Sequence, residues 1–137
     1  MRRIVSGLLL IAVLAGMLVA CESKTTASDP KVVAESYLQY MSERNYAEAY
    51  KLLSADTQAT VTATDFQKMV EDAWQSAGIT AFGVKETREA ILAESGYRAS
   101  VPYQATLTTQ GGATDVYNAL SLVLQDNQWR VVWPPAR

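Results

Sequence analysis

The chain has no histidine and only one cysteine among its 137 residues. A catalytic triad that moves protons through an imidazole cannot be built from it. Zinc and other metals that prefer nitrogen or sulfur donors have no ligand set once that cysteine is committed elsewhere. The aspartates and glutamates never gather at calcium-loop spacing, so neither a metal nor any other cofactor is expected. One thiol makes no internal disulfide, so the domain must hold by its core alone even in an oxidising compartment. Long blocks of one charge are missing too. Twelve basic and fourteen acidic residues are interspersed with no basic stripe, and nucleic acid is not an expected partner. No internal repeat is present, and the length allows one small domain.

What is present begins with a leader. Met1-Arg2-Arg3 is followed by an apolar run from Ile4 to Ala20, interrupted by Ser6, Gly7 and Gly16. A permanent membrane helix wants about 20 apolar residues, so the run is short for one. It fits residues 1–20 as a signal peptide, with small residues before the cut. The stretch Leu18-Val19-Ala20-Cys21 reads as a lipobox. Cys21 is then the lipid attachment site, a thioether carrying diacylglycerol, whose two acyl chains hold a protein to a bilayer far better than one. Loss of Arg2 and Arg3 with the leader makes the exported chain more acidic than the whole, which carries −2. Residues 21–28 form the lipidated cysteine and a polar tether. The expected location is the cell membrane, lipid-anchored and facing the extracytoplasmic side. Glu22, rather than Asp, follows the cysteine, which leaves outer-membrane sorting open in a Gram-negative envelope.

From Asp29 onward the pattern is that of a folded domain, residues 29–137. Asp29 caps a first helix with Pro30 at its start. Val33, Tyr37, Tyr40 and Met41 share one face of it. Asn45 caps a second helix with Tyr46, Ala49, Tyr50 and Leu53 inward. Ser54 to Ala63 reads as a loop with a partial turn. Thr64 to Gln67 fits a capping box for a third helix, with Phe66, Met69, Val70, Ala73 and Trp74 as its stripe and Gly78 ending it. The period then changes to two. Ile79 to Thr87 is a strand, which Ala90 to Ala93 continue after an irregularity. Tyr97 to Thr108 alternates, and Pro102 argues for an edge or a bulge at its middle. Val116 to Leu124 reads as a more central strand. Asp126-Asn127 reverses the chain into a last strand with Trp129, Val131 and Trp133 on one face. Three N-terminal helices packed on a strongly curved antiparallel sheet of about four strands is an α+β order.

Three stretches carry a resemblance: the paired helix of Val32 to Leu53, the helix of Thr64 to Ile79 ending in Gly-Ile, and the closing Trp129-x-Val131-x-Trp133 strand. They resemble the NTF2-like family, and more narrowly the MecA-type N-terminal, non-penicillin-binding domain of class B penicillin-binding proteins. The resemblance implies an NTF2-like fold and a link to cell-wall synthesis or β-lactam response. It also implies an envelope protein or peptidoglycan as partner, beside the membrane reached through Cys21. In the family the last strand leads into a transpeptidase domain, whereas here only Pro134-Pro135-Ala136-Arg137 follow. A dedicated small protein and a truncated relative both stay open. Ser28-x-x-Lys31 matches the transpeptidase Ser-x-x-Lys pattern by letter, but no Ser-x-Asn or Lys-Thr-Gly follows, and no penicillin binding is expected.

Two functional readings remain. The first is a non-catalytic binding or spacer module at the cell envelope, with no catalytic residue. The second is a small-molecule pocket or isomerase-like enzyme, as the NTF2-like resemblance allows. Its lining would come from Tyr37, Tyr40, Tyr50, Trp74, Tyr103, Tyr117, Trp129 and Trp133. An isomerase would need a carboxylate base beside a tyrosine, for which Asp115 and Tyr103 are the candidate pair.

Overall fold

The computed structural model describes residues 28–134. The leader and Cys21 lie outside the described residues, so the lipobox reading has no structural counterpart here. Among the described residues no helix is long and apolar enough to cross a membrane.

Asp29 opens α1 (Pro30–Ser42) as its composition demands, its carboxylate accepting from the Lys31 N–H at 2.8 Å. The helix buries Ala34, Tyr37, Leu38 and Met41, the i, i+3, i+4, i+7 row of an amphipathic helix. Arg44 turns the chain in the left-handed region, and Asn45 caps α2 (Tyr46–Lys51), accepting from the Glu48 N–H. Tyr46, Ala49 and Leu53 face inward, while Glu48 and Lys51 pair on the solvent side.

The stretch expected as a loop holds a further helix, α3 (Ala55–Thr60), which makes four helices rather than three. It has no apolar stripe to announce it, because polar groups hold it in place. Ser54 caps it, and the buried Ser54 and Thr57 hydroxyls bond each other at 2.9 Å. Thr57 Oγ1 also donates to the Trp133 carbonyl at 3.0 Å. Helix α4 (Ala63–Ser76) starts two residues earlier than its sequence signature suggested. Thr62, not Thr64, is the cap, accepting from the Asp65 N–H at 3.1 Å. The Thr62 hydroxyl in turn donates to the Asp65 carboxylate at 2.8 Å, so the same three-residue spacing applies in a different register. Only Phe66 and Val70 of the expected stripe are buried. Trp74 is half-buried, and Met69 and Ala73 face solvent. Gly78, at φ +67°, ends the helix in the left-handed conformation.

The strands are β1 (Ile79–Thr87), β2 (Ile91–Leu92), β3 (Arg98–Thr109), β4 (Gly112–Gln125) and β5 (Gln128–Val131). The sheet is antiparallel in the order β1-β3-β4-β5, with β2 also paired to β3. The long β3–β4 hairpin runs from Arg98 opposite Val123 to Thr109 opposite Gly112. Asp126 and Asn127 both take positive φ in the two-residue turn into β5, the backbone that matches strand twist. Register shifts between Ile79 and Ala81 and between Val84 and Glu86 bend β1 and deepen the curvature.

Pro102, expected at an edge or a bulge, sits in β3, which has neighbours on both sides. The neighbour is broken at that point. Strand β1 ends at Thr87 opposite Tyr103, and β2 starts at Ile91 opposite Ser100. The Pro102 carbonyl still accepts from Arg88 N–H at 2.8 Å. Because a strand residue's N–H and C=O point the same way, the missing donor falls where no ladder continues.

The four helices lie against the inner face of this strongly curved sheet, and β5 ties the two layers together. Ser54 N–H donates to the Val131 carbonyl and Val131 N–H to the Leu52 carbonyl, each at 2.8 Å. The core between the layers includes Leu53, Phe66, Val101, Leu122 and Val131, all at 1% exposure or less. Phe66 is central, its ring 5.2 Å edge-on from Trp133 and 5.9 Å from Tyr50. Replacing it leaves a cavity with no cross-link to limit the damage. Phe66→Ala is expected to cost about 3–5 kcal/mol, read as a lower midpoint in urea with an unchanged slope.

Candidate functional site

Where α1 passes over the sheet, packing is incomplete and a cavity of about 370 Å³ remains. That lies at the small end of the ~300–1,000 Å³ usual for ligand pockets. Helix α1 contributes Tyr37, Leu38 and Met41 to its wall, and α4 contributes Trp74. The sheet supplies Ile79 and Phe82 from β1, Tyr103 and Leu107 from β3, and Val116, Asn118 and Leu120 from β4. Val131, Val132 and Trp133 close the remaining side. Strand periodicity explains the selection. Tyr103, opposite Asn118, and Ala105, opposite Val116, lie on the inner face, because alternate residues of a strand share a face.

The wall is braced. The Trp74 ring meets Tyr46 edge-on at 6.4 Å and Phe82 at 5.9 Å. The Arg44 guanidinium stacks 5.4 Å above it and donates to the Thr80 carbonyl at 3.0 Å. A cation over an indole is worth about 0.5–1 kcal/mol at an exposed site, enough to bias one rotamer.

Of the eight aromatic residues proposed as lining, Tyr37, Trp74, Tyr103 and Trp133 meet at the cavity. The other four are elsewhere. Tyr117 is 71% exposed and opposite Gln104 on the outer face. Trp129 is buried in the core, and Tyr40 packs against that core from α1. Tyr50 turns its hydroxyl to the Val61 carbonyl at 2.7 Å and its ring to Phe66. Leu38, Met41, Ile79, Phe82 and Leu107 were not singled out by the sequence, and an aliphatic side chain carries no chemical signal that could have separated cavity from core.

The Asp115–Tyr103 pair does not exist. Asp115 lies opposite Thr106 on the outer face, accepting from Lys85 Nζ at 2.7 Å, Thr106 Oγ1 at 2.8 Å and Gln104 Nε2 at 3.2 Å. The bond from Lys85, then that from Thr106, holds its carboxyl below the usual range, so it stands as a hydrogen-bonded anion away from Tyr103. Ser28 is exposed, while Lys31 Nζ bonds Glu89 at 2.8 Å, which raises its pKa and keeps it a cation. That is the opposite of what a transpeptidase lysine needs. Among the described residues no three Asp, Glu, Cys or His side chains gather where they could hold a metal ion.

Among the described residues the wall has no carboxylate, ammonium, thiol or aliphatic hydroxyl. Its ionisable groups are two phenols. Burial raises the pKa of Tyr37, and the neighbouring Tyr103 raises it further; burial raises that of Tyr103. Both stay protonated as hydrogen-bonding groups at any physiological pH. The wall is apolar apart from these phenols and the Asn118 side chain.

Helices packed across one concave antiparallel sheet, with a cavity between, define an NTF2-like fold. A profile of the NTF2-like N-terminal transpeptidase domain matches residues 29–137, and the chain belongs to that family. Solved structures of similar fold include a SEC-C-motif-containing protein of Psychrobacter arcticus, 12% identical, with a TM-score of 0.56. That match covers 81% of this chain, and the chain spans 63% of that protein's length. A Campylobacter jejuni protein named for the NTF2-like transpeptidases is 13% identical with a TM-score of 0.45, covering 77% of this chain and 98% of its own. A Mycobacterium tuberculosis protein in complex with estradiol-17β-hemisuccinate is 13% identical with a TM-score of 0.46, covering 77% of this chain and 94% of its own. These are likenesses of fold alone. No curated protein matches the chain.

The buried phenols set a pH dependence. The folded chain keeps Tyr37 protonated above 10, its ordinary value, whereas the unfolded chain releases that proton there. Stability from this group is whole below pH 10 and falls as pH rises through the range above it. Thermal midpoints followed from neutral to strongly alkaline pH are expected to drop less steeply in Tyr37→Phe than in the parent.

Proposed function

We propose that this chain is a lipid-anchored extracytoplasmic module that binds a small, mainly apolar ligand in its concave cavity and does not transform it. The observation that carries the reading is the composition of the wall. Trp74, Phe82, Tyr37, Tyr103 and Trp133 surround the space together with aliphatic side chains and Asn118, and among the described residues no carboxylate, amine or thiol joins them. Acid–base turnover needs a group that changes protonation within reach of the substrate, and phenols with raised pKa values are poor ones. The sequence Leu18-Val19-Ala20-Cys21 supports attachment through Cys21. Family membership supports a role beside the machinery of cell-wall synthesis, where such a module would act as a sensor, carrier or spacer.

Two measurements test the two halves. In cells fed an alkynyl palmitate, the parent chain should be labelled and sediment with membranes, while Cys21→Ser should lose the label and leave the membrane fraction as a released or uncleaved form. An unlabelled parent chain would remove the anchor. For the cavity, Val116→Trp places an indole in the space. It should weaken binding of a naphthalene probe at least about tenfold, in line with ~1.4 kcal/mol per tenfold, while the melting point stays close to the parent's. Equal binding by parent and variant would remove the pocket.

A further inference from the structure

Packing accounts for the rings of Tyr37 and Tyr103 but not for their hydroxyls. Tyr37 is 4% exposed, and both residues line the cavity. Neither hydroxyl has a hydrogen-bond partner among the described residues, in contrast to Tyr50, which donates to a carbonyl. The described side-chain atom that is both sealed from solvent and unpartnered is the Tyr46 hydroxyl. The hydroxyls of Tyr37 and Tyr103 are unpartnered without being sealed, and both residues stand in the cavity wall. A phenylalanine would line the space equally well and would bury no polar atom without a bond. The remaining polar side chain of known bonding on the wall, Asn118, stands opposite Tyr103 in the β3–β4 register. Its carbonyl oxygen already accepts from the Ala119 N–H at 2.8 Å, which leaves its amide hydrogens as donors. The wall thus offers two phenol hydroxyls, each able to donate, beside the amide hydrogens of Asn118.

We propose that Tyr37 and Tyr103 form a recognition pair for one neutral, hydrogen-bond-accepting oxygen, the carbonyl of a ketone, ester or amide, on an otherwise apolar ligand. The proposal rests on the cavity-binding reading above and adds which end of the ligand is read, and by what. A carboxylate head is disfavoured, because a buried anion needs a counter-charge and no lysine or arginine lines the cavity among the described residues. The interaction between the two phenols runs the same way, since Tyr103 makes a negative charge at Tyr37 harder to form. The donor-rich rim at Asn118 can take a second acceptor on a longer ligand.

The test uses three probes of nearly equal shape: acetylnaphthalene, ethylnaphthalene and naphthoate. Each is titrated into the full-length chain in detergent, with the micelle contribution measured on detergent alone. The quenching of tryptophan emission reports occupancy, since Trp74 and Trp133 stand in the wall. The ketone should bind about tenfold tighter than the hydrocarbon, the sum of two modest neutral hydrogen bonds. Tyr37→Phe and Tyr103→Phe should each weaken the ketone several-fold and leave the hydrocarbon unchanged, and the double variant should bind both alike. The unchanged hydrocarbon affinity shows that the variants still fold. Equal binding of ketone and hydrocarbon by the parent chain would overturn the pairing while the cavity reading survives. So would tightest binding of naphthoate, or a parallel loss of ketone and hydrocarbon in the variants. Failure of all three probes to bind would overturn the cavity reading and the pairing with it.

Discussion

One row of side chains holds the two layers of this domain together. Ala34, Tyr37, Leu38 and Met41 are laid by α1 across the concave face of the sheet, and all are buried. With no histidine, no metal cluster among the described residues and no cysteine in the domain, apolar burial, backbone pairing and a few side-chain hydrogen bonds such as that of Thr57 hold it. Each large side chain so buried is worth about 1.5–3 kcal/mol, so a few such residues make up much of a small domain's margin. Phe66 and the β5 pairing with Leu52 and Ser54 fasten the rest of the helical layer to the same frame. The row also has a functional consequence. Tyr37, Leu38 and Met41 belong to the core on one side and to the cavity wall on the other.

The sheet separates two chemistries by strand parity. Its outer face gathers Lys85, Gln104, Thr106 and Asp115 into one hydrogen-bonded cluster. Its inner face presents Val101, Tyr103, Ala105, Leu107, Val116 and Leu120 to the helices. The carboxylate is held outside with its charge satisfied, and the phenols are held inside with theirs suppressed. Curvature makes room for this. The irregularities of β1 and the strand break opposite Pro102 interrupt the ladder along β3, the strand that supplies Tyr103 and Leu107 to the cavity.

Much of the architecture could be read from the residues because local signals agreed with the fold. The caps at Asp29 and Asn45, the stop at Gly78, the turn at Asp126-Asn127 and the alternation of β3 all correspond to observed geometry. The misses have specific causes. Helix α3 is stabilised by the Ser54–Thr57 pair and a bond to the Trp133 carbonyl, a long-range contact that leaves no periodic trace. The cap of α4 was displaced because both Thr62 and Thr64 satisfy the same spacing rule. Pro102 was read by its own strand, whereas the accommodation lies in the neighbouring one. For the cavity, aromatic residues were a useful but coarse guide. Tyr37, Trp74, Tyr103 and Trp133 were legible by type. Tyr117 and Asp115 were misplaced because their face depends on pairing with Gln104 and Thr106, which only the hairpin register decides.

The central claim is that the space under α1 is an accessible binding site and not a packing defect. Methyl-resolved NMR of the full-length chain with acetylnaphthalene tests this most directly. Saturable shifts are predicted at Met41, Leu107, Val116, Leu120 and Val131, with Ile91 and Leu92, which are exposed on β2, unmoved. Shifts at Ile91 and Leu92 with none at the five cavity methyl residues would contradict the account.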